Sequence, residues 1–203
     1  MTPRRLSLLT ALLAGVLLAG CGPFSPKADP TRYYVLKAKS TGSLTSGPKL
    51  AVGVGPATIP GYLERDEIVT AGAASNLQVA EFHIWAEPLD KAVIHVVARN
   101  MSQLLNSPAV VPFPDADAKV DYKTEIVIRR FEMGADHKVH LEASYFVERS
   151  PRSDQRGTSR SRSIVVGVSQ PASHDAIVDA MSVALAELSK SIARDVLTVS
   201  RQS

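Results

Sequence analysis

The sequence predicts an α+β fold, a mixed, mostly antiparallel sheet with two long helices packed on one of its faces. Three observations predict it. Two stretches, 88–105 and 173–199, repeat apolar residues at three- and four-residue spacing, the mark of helices with one buried side. Two runs between them, 120–129 and 139–148, alternate apolar and polar residues around a turn, which describes an antiparallel hairpin with one wet face. Shorter β-rich runs bring the strands to about six, with one helical crossover, and the layers resolve as α+β.

At the N-terminus Arg4 and Arg5 precede an apolar run from Leu6 to Leu18, which is short for a permanent membrane span and reads as an export signal. The run closes with Leu18-Ala19-Gly20-Cys21, which resembles the lipobox of bacterial lipoprotein precursors. The expectation is that residues 1–20 are cleaved and that the Cys21 thiol carries a diacylglyceryl group, with a third acyl chain on the new amino terminus. Each buried methylene contributes ~0.8 kcal/mol, so two or more chains give stable anchoring without a span. Gly22 stands where an aspartate is the usual inner-membrane retention signal, which favours the outer membrane. Residues 21–31, rich in proline, read as a lipidated tether with a reach of roughly 30 Å, and 32–203 as a single periplasmic domain.

Cleavage removes two of the 23 basic residues and none of the 20 acids, leaving a net charge of about +1. A nucleic-acid protein needs a concentrated basic footprint, so that class is excluded. Cys21 is the sole cysteine and no thiol remains to pair, so stability must come from packing.

Within the domain, Arg32–Leu36 is a short strand, followed by a flexible Ser/Thr/Gly-rich segment from Ser40 to Pro48. Leu50–Pro56 carries small residues on one face, which suits a strand lying closely under another layer. Its Gly53 and Gly55 complete no phosphate-binding loop, because Pro56 and Pro60 fall where a helix would have to begin. An irregular turn from Ile59 leads to a short strand ending near Thr70, and Leu77–Trp85 is the next.

Ala86-Glu87-Pro88 opens the first helix, with proline in the first turn and Glu87 at the favourable end of the dipole. Its stripe is Leu89, Val93, Val96, Val97, Met101, Leu104 and Leu105, and it frays by Asn106–Pro108. Ala109–Phe113 is a brief strand ahead of the long hairpin, which turns at Gly134–His137. An arginine-rich connection, Arg149–Arg162, then leads to a last strand at Ser163–Val168. Ser173 caps the second helix, whose stripe is Ile177, Met181, Ala184, Leu185, Leu188, Ile192, Val196 and Val199.

Chemistry-bearing patterns are sparse. His137 and His140 are spaced H-x-x-H but straddle a turn and a strand, so they read as polar turn residues and no metal is expected. No serine sits in a nucleophile elbow, and no enzyme is expected. Arg152, Arg156 and Arg160 are candidates for leaning on anionic head groups, against the simpler reading of a solvated loop. Ile59–Ile68 and the Phe82-Trp85-Glu87 segment form a candidate contact surface, with Ile59, Pro60, Tyr62, Leu63, Arg65, Trp85 and Glu87 as its members; Trp85 reads equally as an anchor for the helix start.

The strings Ile59-Pro60-x-Tyr62-Leu63-x-Arg65-x-x-Ile68-Val69 and Glu81-Phe82-x-x-Trp85-Ala86-Glu87-Pro88-Leu89 resemble the PqiC family of ABC-type transport auxiliary lipoproteins. The resemblance runs from Tyr33-Tyr34-Val35-Leu36 through the second helix. Gly61 replaces a frequent aspartate, and Asp66-Glu67 a common Pro-Gln. The resemblance implies a periplasm-facing lipoprotein that works with an ABC permease, an ATPase and an MCE-domain protein in moving lipid between the envelope membranes. It implies self-association into a ring, and no cofactor is expected beyond the covalent lipid on Cys21. The alternative is a structural envelope lipoprotein with no direct transport role.

Overall fold

The computed structural model describes residues 28–113, 119–150 and 157–202. The signal, Cys21, and Arg152 and Arg156 lie outside them. The described chain forms eight strands and two long helices: β1 (Arg32–Tyr34), β2 (Val52–Thr58), β3 (Glu67–Ala71), β4 (Leu77–Trp85), α1 (Leu89–Leu104), β5 (Val110–Pro112), β6 (Tyr122–Met133), β7 (Lys138–Arg149), β8 (Thr158–Gly167) and α2 (His174–Arg201).

All eight strands belong to one sheet, centred on β6. On one side β6 pairs antiparallel with β7, and β7 with β8. On the other side its first half pairs parallel with β2, and Met133 near its end meets Thr70 of β3. The sheet is extended by β5 beside β2 and by β4 and β1 beyond β3. The antiparallel ladders are the long ones. The parallel pairings are short but number more than the single crossover expected, because β1, β2 and β5 each run alongside a strand distant in sequence.

Both helices cover the same face. On β7 the odd positions Val139, Leu141, Ala143, Tyr145 and Val147 point inward, all at 2% exposure or less, and α2 lies over them. The α1 stripe is buried throughout, against β2, β5 and α2, and the α2 stripe is buried from Ile177 to Val196 with Val199 at its margin. Each large side chain so buried contributes about 1.5–3 kcal/mol, and this is where the fold's stability resides.

Four local details differ from the sequence reading. Pro88 sits at the cap position with extended backbone, and α1 starts at Leu89, so Asp90 rather than Glu87 is the acid of the first turn. Beyond Arg129, β6 continues to Met133, because a bulge between Ile128 and Arg130 shifts the register and turns Phe131 inward where alternation would have placed it outside. Further along, β8 begins at Thr158, five residues early: its Ser/Arg alternation carries no apolar signal, yet it pairs with β7 from Val147↔Thr158 onward. The segment expected to be flexible is partly pinned. Asn100, fully buried in α1, accepts from the amides of Lys39 and Ser40, both at 2.9 Å, and donates to Ser189 of α2 at 3.3 Å. Leu44 also donates to the Leu104 carbonyl.

Two expectations hold at atomic detail. Ser173 caps α2 by accepting from the Ala176 amide at 3.2 Å. Gly55 of β2 lies closely under α1, where a Cβ would meet Ile94 Cδ1 at 3.2 Å.

Candidate docking cleft

The two strings that carry the family resemblance meet in space. After β2, the chain passes Ile59-Pro60 into a single 3-10 turn, Gly61–Leu63, closed by Leu63 N–H to the Pro60 carbonyl at 2.8 Å. It continues through Glu64-Arg65-Asp66 into β3. At the end of β4 the Trp85 amide donates to the Asp66 carbonyl at 2.7 Å, and the Ala86 amide to the Tyr34 carbonyl at 2.9 Å. Pro88 then receives the amides of Lys91 and Ala92 at 3.0 Å as α1 starts. An open cleft of about 500 Å³ lies between these pieces, walled by Ala57–Ile59, by Glu64–Asp66 and by Pro88–Asp90.

The framework behind the cleft is apolar and buried. Ile59, Leu63 and Trp85 are 7%, 3% and 6% exposed. They were expected on a contact surface and are instead core posts, which is the packing role weighed for Trp85. Tyr62 is half-buried and donates its hydroxyl to Glu132 Oε2 at 2.8 Å. Glu132 is itself 3% exposed and is satisfied by Arg130 Nε at 2.6 Å and by the Phe131 amide at 3.1 Å. Burial, and the carboxylate that the phenol serves, push the Tyr62 pKa far up, so it stays a donor. Tyr62 thus fastens the turn to β6.

The rim is polar. Glu64, Arg65 and Asp66 are exposed and Asp90 is half-buried, so three carboxylates face one guanidinium. Arg65 Nε lies 3.0 Å from Glu67 Oε2 and holds that carboxyl below its ordinary range. Pro60 and Glu87 are half-buried at the edges of the two strings, and Glu87 bonds His95 Nδ1 at 2.8 Å. Of the seven candidates, Arg65 is the one that is openly presented. Asp90, which completes the rim, was read only as part of a helix start.

Arg160 does not extend from a free loop. It lies on β8 with Nε 3.5 Å from Asp195 of α2, a carboxylate that also accepts from the Tyr145 hydroxyl at 2.7 Å. Arg162 likewise donates to Ser191 at 3.3 Å. These arginines lie along the flank of α2, and Arg160, still more than half exposed, sits on a paired strand rather than on a free loop.

A family model described as the ABC-type transport auxiliary lipoprotein component matches residues 34–193, which takes in both strings, all of α1 and α2 as far as Ala193. The chain belongs to this family. Auxiliary lipoproteins of this kind serve ABC-type transport, and that coarse role comes with membership. No curated protein matches the chain. The auxiliary-lipoprotein domain seen here is similar in fold to a solved Xanthomonas campestris protein of family DUF330 (TM-score 0.69, 20% identity, covering 85% of this chain and 98% of that one). A second solved structure, of an uncharacterized protein, has a TM-score of 0.64 at 19% identity, covering 82% and 98%. Among the described residues of this auxiliary lipoprotein, no helix is long and apolar enough to cross a membrane.

Proposed function

We propose that the chain is a periplasm-facing, non-catalytic accessory of an MCE/ABC-type intermembrane lipid transport system, anchored by lipid on Cys21, most naturally to the outer membrane, and docking an MCE-domain protein through the cleft. The observation that carries this reading is the convergence of the family-like strings on one open cleft with a rigid, buried back. Rigid posts behind an exposed rim suit recognition, since little ordering is lost on binding. Self-association into a ring is part of the proposal.

The test is co-purification from detergent-solubilised envelopes. Arg65→Ala and Asp66→Ala are expected to lose the MCE-domain partner with the melting temperature nearly unchanged, since both side chains are exposed. Retention of the partner by the double variant overturns cleft docking, and absence of any MCE-domain protein from the wild-type eluate leaves the structural envelope role. Cys21→Ser is expected to release the protein from membranes.

A further inference from the structure

Three rings meet where β1 and β4 reach the start of α2. Tyr34, 7% exposed, bonds Nδ1 of His83 through its hydroxyl at 2.7 Å. The His83 ring lies on that of His174, with centroids 3.5 Å apart and planes 16° from parallel. Tyr34 is 6.2 Å from the His174 ring. Burial, then Asp175, hold the phenol above its ordinary range, so Tyr34 stays a neutral phenol against His83 Nδ1.

His174 is the first residue of α2, at the positive end of a helix dipole, and is half-buried. Burial first, and His83 second, hold its pKa below the ordinary value, while Asp175 pulls the other way. Arg32 lies beside the pair, in register with His83 on the parallel β1–β4 ladder. Lys37 and Asp179 line the neighbouring hollow, and Asp179 is already paired with Lys39.

We infer that this three-ring junction is an acid-sensitive latch: protonation sets two stacked imidazoliums beside Arg32 with Asp175 as the near counter-charge, and β1 lets go of β4 and α2. Release ends before Lys37, whose amide is held by Ser182 at 3.1 Å, and Asn100 holds the chain beyond it. On the reading that Cys21 is the anchor, freeing Arg32–Tyr34 adds roughly 10 Å to the tether's reach. The latch itself does not depend on that reading.

Amide hydrogen exchange read by mass spectrometry on the full processed chain in detergent tests it. Between about pH 7.5 and about pH 5, after correction for intrinsic rate, protection of Arg32–Tyr34 and of His83–Ala86 is expected to fall at least ~10-fold while α1 is unchanged. His174→Gln is expected to keep these segments protected at the acidic pH, and His95→Gln, remote and exposed, to behave as wild type. Unchanged protection in the wild type on acidification, or equal opening in His174→Gln, overturns the latch. A Cys21→Ser chain is expected to show the same exchange, which separates failure of the latch from failure of the anchor.

Discussion

The amide of Trp85 donates to the carbonyl of Asp66 at 2.7 Å, and this bond joins the end of β4 to the loop that walls the cleft. The indole beside it is core while the loop's carboxylate faces water, so one residue pair spans framework and rim.

The division predicts opposite outcomes for neighbouring substitutions. Trp85→Ala should cost about 3–5 kcal/mol, as large-to-small changes at buried aromatic sites do. Arg65→Ala should stay within about 0.5 kcal/mol, because an exposed ion pair contributes little. Urea denaturation of the two variants compares them directly.

Tyr62→Phe removes the hydroxyl that Glu132 accepts and nothing else. A loss of about 1–2 kcal/mol is expected in denaturant melts, since a buried carboxylate gives up one of its partners. Faster proteolysis confined to residues 59–66 should accompany it if the turn is fastened at this point.

Asn100→Leu keeps the volume of the α1 side chain but leaves the amides of Lys39 and Ser40 without their acceptor. About 2–4 kcal/mol of destabilisation is expected, with early exchange of those two amides, as orphaned donors cost more than the bond contributes.

Asp136 in the β6–β7 turn is bonded by His140 Nε2 at 3.0 Å, and that bond first, with the nearby imidazole charge, holds its carboxyl below the ordinary range. A carboxyl lowered in the folded state adds stability above its unfolded pKa of about 3.9 and loses it as pH falls through the lower folded value. Wild type and Asp136→Asn should therefore differ slightly above about pH 4 and converge below it, which a pH series of thermal melts can read.

Helices and hairpin were legible because their periods are long and clean: every α1 stripe residue is buried, and the β7 alternation holds over ten residues from Val139 to Glu148. Legibility failed where a side chain's partner is distant in sequence. Serine and arginine on β8 look like loop residues until Asp195 and Ser191 of α2 are placed beside them. The bulge after Ile128 is a choice of ladder register, which one strand's letters do not encode. At the cleft, the strings marked the right region but not the facing of each side chain. Ile59, Leu63 and Trp85 looked like contact residues because they sit among charges, and only the close approach of β4 to the 3-10 turn puts them inside. No spacing rule joins His83 to His174, ninety-one positions apart by numbering, and the pair emerges only from the packing of β4 against α2.

The fastening of the turn by Tyr62 and Glu132 has a consequence for how such a protein diversifies. Since the posts are set independently of Glu64, Arg65 and Asp66, drift at those three positions can retune partner preference while the hydrophobic interior stays untouched. Related chains that serve different transport machines are expected to vary most along this short rim, and transplanting those three residues between them is a direct way to exchange allegiance.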